Sequence, residues 1–490
     1  MKSFSKLLLA VSLVGFLFPS CKKSTEAGSM IPENALFVAR LNMKSIDSKL
    51  SWAELQQTSW YKKAYSDTSS GEWRKKILEN PSASGINFDE GLIFFGAKDT
   101  TGYYIAAEGK LKNRGDFEAF NKNFDPSQAV KKEGDIHLLV LKDKNIVGWD
   151  ENNFIYVMNP ATTSSQMYKW NDPAGSQNSH AAEDKSAELA AICKTLFSLK
   201  SDASLEKNEP FNKLLKEPGD IHIWQNNEEI IKNTPSNGIL SMLKLDAFKR
   251  NNIITYAINF DKGKIDINQK AYVSKELADI LKKYMGGSIN KDMIKNIPSK
   301  NVFGLLAFNF KPGGIKELIQ LTGTDGLVNM YGQRMGFNLD DISKATNGHW
   351  LLAFSDFKMG ADSSKHKMGA ADDSVATGFK TPGFNYIFSA GIGDKASLQK
   401  IVNAVAKMGN NPLSNYVMND KTFAVGNITS FANQYLSGTN NEFDFMNKIS
   451  GHPVGFFIDM QQILSGFSSI PVGDPYENAL LGQSLKTWKN

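Results

Sequence analysis

The chain has 490 residues, of which 41% are hydrophobic and 22% charged; this excludes a disordered polymer and, by length, a single ordinary core. With 56 basic against 51 acidic residues it is close to neutral for its size, and no basic stripe points to a nucleic-acid partner.

In chain order, the first feature is a positive start, Lys2 and Lys6, followed by an uncharged apolar run of 12 residues from Leu7 to Phe18. A spanning helix needs about 20 such residues, so the run suits a secretory signal over residues 1–20. No A-x-A-like cleavage site follows. Instead Phe18-Pro19-Ser20 leads into Cys21, the small-residue-then-cysteine pattern of a bacterial lipoprotein signal. Cys21 is therefore expected to carry acyl chains, palmitate among them. Each buried CH₂ contributes about 0.8 kcal/mol, and two or more chains hold a protein stably on a membrane. Residues 21–29 then read as lipidated cysteine and tether, and no later run is long enough to span a bilayer.

Beyond the tether the sequence repeats itself in order. Ile31–Lys44, "IPENALFVARLNMK", answers to Ile297–Lys311, "IPSKNVFGLLAFNFK". Gly85–Glu90, "GINFDE", answers to Gly336–Asp341, "GFNLDD", and Asn208–Ile231 answers without a gap to Asn441–Leu464. The expected domains are 30–285 and 296–490. Each has an opening strand, helices, a pair of strands such as "GYYIAAEGKL" or "FNYIFSAGIG", a helix, further strands, and a closing helix–strand–helix block. Alternation and helical spacing together predict an α+β fold: two duplicated domains of mixed, largely antiparallel sheet with helices packed on one face.

Two asymmetries stand out. The first copy closes with a hairpin, "IITYAINF" then "KIDINQKAYV", whose alternating Ile265, Ile267, Gln269 and Ala271 predict one buried face. The second copy is expected to lack that hairpin and so to leave an open sheet edge, a site for strand pairing. Residues 358–383, rich in Gly, Ala, Ser and Asp, read as a flexible surface insertion.

The Ile-Pro opening, the Asn-apolar-Lys ending, the lipoprotein signal and the two-copy plan resemble a lipoprotein family of the Bacteroidota phylum described as domain of unknown function 4836. The resemblance covers nearly all of the chain after Cys21. It implies location and architecture, with no activity, substrate or catalytic residue. In that phylum an acidic run after the lipidated cysteine accompanies export to the cell surface. Here "KKSTE" has a single acid, Glu26, which favours the periplasmic face of the outer membrane.

Motifs for chemistry are sparse. The six histidines form no H-E-x-x-H and no ligand spacing with cysteine, so neither a metal nor a cofactor is expected. Cys193 shares an apolar helical face with Leu189, Ile192, Leu196 and Phe197 and reads as a small hydrophobe. "GIGDKAS" lacks the third glycine of a dinucleotide loop and reads as a turn. The Ser397–Lys400 pair lacks the companion motifs of serine acylases, and no catalytic residue is assigned. Trp52, Trp60, Tyr61, Tyr65 and Trp73 form an aromatic cluster that either packs helices onto a sheet or binds a glycan or envelope protein partner. The expected role is a non-enzymatic binding or structural one, on a membrane held through the N-terminal lipid. The alternatives are an envelope hydrolase with an unrecognised site, and an assembly or transport accessory that binds through an exposed strand edge.

Overall fold

A computed structural model of the protein describes residues 27–66, 75, 78–123, 128–160, 184–233, 244–262, 264–359, 382–407, 413, 415–467 and 482. Cys21, Trp73 and the expected insertion between residues 360 and 381 lie outside them. The chain divides into two compact units, the first taking residues up to 235 with 251–272, the second taking 236–250 with those from 273 onward. Residues 273–285, assigned from sequence to the first copy, thus go with the second unit.

The first unit holds ten strands: β1 (Phe37–Leu41), β2 (Leu92–Lys98), β3 (Tyr103–Lys110), β4 (Lys131–Glu133), β5 (Ile136–Val140), β6 (Ile146–Trp149), β7 (Asn153–Met158), β8 (Ile221–Asn226), β9 (Ile253–Asp261) and β10 (Lys264–Tyr272). They form one sheet in the order β10-β9-β8-β1-β2-β3-β7-β6-β5-β4. The second unit holds β11 (Val302–Asn309), β12 (Thr346–Met359), β13 (Pro382–Ile392), β14 (Tyr416–Met418), β15 (Thr422–Gly426) and β16 (Val454–Ile458), in the order β14-β15-β13-β12-β11-β16. Every pairing among the described strands is antiparallel. The fold is α+β.

The second order is the first one abbreviated. Strands β8-β1-β2-β3-β7-β6 correspond to β16-β11-β12-β13-β15-β14, and the registers agree residue by residue. Trp224–Val38–Phe95–Ala106–Val157 runs across the first sheet, and Phe457–Leu305–Ala353–Ile387–Gly426 runs across the second. The ends match too. Asn42 N donates to Asp220 O at 2.8 Å and Asn309 N to Pro453 O at 2.7 Å, while Asn226 and Asp459 each accept from the backbone N–H three residues on, at 3.1 and 2.8 Å. Asn226 and Asp459 thereby start the helix that follows each strand.

The main core of the first unit lies between one sheet face and the helices Ser186–Phe197 and Glu209–Leu215, with Phe95, Trp224, Phe211 and Leu196 fully enclosed. In the second unit Leu305, Ala353 and Ile387 meet the helix Thr429–Ser437 through Ala432 and Tyr435. Each unit also has helical cover on the opposite face, Arg114–Lys122 over Trp149 and Phe154, and Lys395–Ala406 over Phe423 and Val425. Both follow the third strand of their copy, and because this end of each sheet is covered twice, all four residues of β6 are buried.

The closing hairpin of the first unit departs from its pattern. Ile265 and Ile267 are 42% and 60% exposed, because β10 is an edge strand with no helix over either face among the described residues. In the six-stranded sheet β16 takes the edge, with Val454, Phe456 and Ile458 exposed.

Candidate functional site

The expected chemical motifs resolve into structure. Cys193 is fully buried, and burial pushes its thiol up to about 12, which leaves it inert. Ser397 Oγ donates to Asp341 at 3.1 Å and Lys400 pairs with the same carboxylate at 2.9 Å, so the Ser-x-x-Lys pair is a clasp between two helices. Asp394 caps the helix after "GIG" by accepting from Ser397 N at 2.8 Å, which makes that segment a turn. His137 stacks on Trp149, and His180 and His366 lie outside the described residues. Of the aromatic cluster, Tyr61 stacks on Tyr65 and meets Trp52 edge-on, each at 6.0 Å. Trp52 and Tyr61 both donate to Leu78 O, at 3.1 and 2.7 Å, and Tyr65 donates to Glu79. These three rings pack on one another; the side chains of Trp60 and Trp73 are not among those described.

A site the motifs did not announce sits at one end of the first sheet. One row of paired residues crosses five strands: His222, Arg40, Ile93, Glu108, Ile155. In a sheet, residues two apart on a strand share a face. Arg40 therefore points to the same side as Val38, and Glu108 to the same side as Ala106, both core residues. Lys110 and Asn153 pair one step further along. Ala27, Ser29 and Met30 cover this end, leaving a cavity of about 150 Å³ also bordered by Glu90 and Gly91. Residues 27–29, read from sequence as tether, belong to this body: a Cβ on Gly28 would stand 2.8 Å from the Phe211 ring, and Ile31 O accepts from Leu205 N at 2.9 Å.

The cavity holds charge under strain of desolvation. Glu108 is 5% exposed, and its Oε2 has no hydrogen-bond partner among the described residues. Burial pushes its carboxyl up to about 8, with Lys110 pulling the other way. Burial lowers Lys110 as well, against Glu108, Asp150 and Glu90; its Nζ donates to Asn153 Oδ1 at 2.8 Å. Arg40 is lowered by burial and supported by Glu90. Burial also holds His222 below its usual range; its Nε2 lies 2.9 Å from Glu217 O. Ser29 Oγ is a second enclosed atom without a partner among the described residues.

The second sheet supplies a built-in control. The equivalent row is Gly455, Ala307, Leu351, Ser389, Ala424, with Gly391 and Thr422 where Lys110 and Asn153 stand. Backbone and register are kept, and every ionisable group is gone. Ser389 is buried and satisfied by donating to Phe423 O at 2.9 Å. The charges are thus not required by the fold. Sequence reading passed over them because Arg40 and Glu108 each sit alone in an apolar strand. The available signal was a charged residue on the inward face of "YYIAAEGK".

A second cavity of the first unit, about 490 Å³ and open, is lined by Glu228, Glu229 and Lys232. Lys232 bridges both acids, at 3.0 and 2.8 Å. Among the described residues no three His, Cys, Asp or Glu side chains gather to hold a metal, and no helix is long and apolar enough to cross a membrane.

A family model described as Domain of unknown function (DUF4836) matches residues 28–311. The chain belongs to that family. The matched region begins within the cover of the charged cavity and ends just past β11, so it contains every residue of the site except Ala27. No curated protein matches the chain. Two crystal forms of the protein TP0453, IV and III, resemble this DUF4836 member at 9% identity with TM-scores of 0.28 and 0.27. Each covers 55% of this chain, and 89% and 90% of TP0453 respectively.

Proposed function

We propose that this DUF4836 protein is a Bacteroidota lipoprotein, anchored through acylated Cys21 to the periplasmic face of the outer membrane, with a non-enzymatic binding role. Its ligand site is the charged cavity of the first unit. The observation that carries the binding role is the contrast between the sheets: one keeps Arg40, Glu108 and Lys110, while its register-matched twin does without them. Buried ionisable groups cost free energy unless paired, and a fold that works without them retains them for another purpose. The anchor rests on the apolar run and the Ser20-Cys21 junction.

The lipidated protein in detergent, mixed with the small-molecule fraction of an envelope extract, is expected to melt at higher temperature, and Arg40→Ala is expected to abolish that shift. A melting point unmoved in the wild type overturns the binding role. For the anchor, Cys21→Ser is expected to lose palmitate incorporation and to leave the membrane fraction. Equal sedimentation of both forms overturns it.

A hydrolytic role is the second reading, favoured by the raised carboxyl of Glu108 near an exposed Glu90 at the cavity mouth. It requires turnover that Glu108→Gln removes. The exposed apolar edge at β16 favours a third, assembly through strand addition.

A further inference from the structure

We propose that the charged cavity binds a small zwitterion of the free amino acid class, its carboxylate toward Arg40 and Lys110 and its ammonium toward Glu108. The inference rests on the binding role and names the ligand chemistry. Among the described residues four ionisable side chains border the cavity, two cationic (Arg40, Lys110) and two acidic (Glu90, Glu108). With all four ionised the two signs balance, and a ligand of either single charge would then leave one sign in excess. A dipolar ligand brings both signs and leaves none uncompensated.

The arrangement separates the signs. Arg40 and Glu108 face the same side in one row with Ile93 between them. Two strand spacings put their Cα atoms about 9–10 Å apart, so two reaching side chains can hold opposite ends of a short molecule over an apolar floor. The size agrees: about 150 Å³ is the volume of an engineered cavity that takes a six-carbon ring. Alanine has as many non-hydrogen atoms. Glu108 Oε2 and Ser29 Oγ are both enclosed and unpartnered among the described residues, and a side-chain rotation that turned either into the cavity would give an ammonium an acceptor. An ammonium beside Glu108 favours its ionised form, so binding at neutral pH expels the proton that the buried carboxyl otherwise holds.

The test is calorimetric titration of the lipidated protein in detergent with L-alanine, propionate and ethylamine, at neutral pH in phosphate and in Tris. Alanine is expected to bind with a heat that differs between the buffers, reporting proton release. Propionate and ethylamine, each lacking one charge, are expected to bind at least about tenfold more weakly. Arg40→Ala and Glu108→Gln are each expected to weaken alanine by about tenfold or more, and Glu108→Gln to erase the buffer dependence. Ala307 and Ser389 show that the strands tolerate neutral residues at these positions. Propionate binding as tightly as alanine without proton release would make this an anion site and overturn the proposal. So would alanine binding that neither substitution weakens. If no zwitterion binds while the extract still raises the melting temperature through Arg40, the ligand class fails and the binding role stands. If neither binds, both fail.

Discussion

Glu108 on β3 and Ser389 on β13 occupy the same register position in two sheets of one chain, Glu108 between Ile93 on β2 and Ile155 on β7, Ser389 between Leu351 on β12 and Ala424 on β15. Both are buried. Ser389 donates to a carbonyl, whereas Glu108 has an oxygen with nothing to accept from. One position is solved for stability and the other is not, so the difference is measurable as a dependence on pH.

The folded-state value of Glu108, about 8, lies above the unfolded value of about 4.3. The folded chain therefore holds this proton more tightly than the unfolded one. Its contribution to stability is full below the unfolded value and is lost as pH rises through about 8, with a slope up to about 1.4 kcal/mol per pH unit. Glu108→Gln removes the titrating proton. Denaturant unfolding across this window is expected to show a falling stability in the wild type and a flatter profile in the variant, which becomes the more stable of the two at alkaline pH. Parallel profiles would place the Glu108 carboxyl in an ordinary solvated setting.

Asp220 titrates in the opposite sense. It is fully buried and accepts from Ser45 Oγ at 2.6 Å, Lys49 Nζ at 2.7 Å and Phe260 N at 2.6 Å. Burial raises its pKa, but the Lys49, Ser45 and Phe260 bonds together outweigh that and bring it below the usual carboxylate range. Its stabilisation is therefore present above the unfolded value and lost as pH falls through the folded one. The second copy has Pro453 here, at an edge where no β9 equivalent is present among the described residues. Asp220→Ala is expected to cost about 2–3 kcal/mol in denaturant unfolding at neutral pH and to unfasten β9 first. Hydrogen exchange at Phe260 and its neighbours would rise ahead of that at β1.

Gly91 forms a wall of the cavity and has a backbone no other residue adopts comfortably, with φ +81° and ψ 176°. An added Cβ would meet Leu41 O at 2.5 Å, where β1 ends beside β2. Gly91→Ala is expected to destabilise by about 1–3 kcal/mol, read as a lower melting temperature. It also shifts Arg40, whose Nε lies 3.8 Å from that Cβ position, so the melting shift by envelope extract is expected to shrink with it.

What the sequence displayed and what it hid have separate physical causes. The duplication was legible because it lies in apolar spacing: the ungapped match of Asn208–Ile231 to Asn441–Leu464 places Trp224 over Phe457 and Asn226 over Asp459, and the strand registers repeat that alignment. Alternation also found the β9–β10 hairpin, but it misplaced one face of β10, because a period of two says which residues share a side and not whether anything covers it. The cavity was hidden for a different reason. Arg40, Glu108 and Asn153 are brought together by cross-strand register, and Ser29 by a cover that looks like a linker in composition. A motif search reads neighbours in sequence, and none of these is one.

The last expectation concerns a contact between helix and sheet. Gly148 on β6 faces Cys193 on the helix Ser186–Phe197, and a Cβ at Gly148 would stand 2.4 Å from Sγ, with Leu138 and Phe197 at 3.1 and 3.2 Å. The glycine lets the helix lie close. Gly148→Ala is expected to cost about 1–3 kcal/mol by overpacking. Cys193→Ala removes the atom most directly in the way, so the double variant is expected to lose less than the two single losses added together, with a coupling of about 0.5 kcal/mol or more in a double-mutant cycle. The enclosed thiol, held at about 12, is expected to stay unreactive to thiol reagents until the protein unfolds. Additive losses, or a thiol that reacts in the native state, would show that the helix does not seat on β6 through this pair.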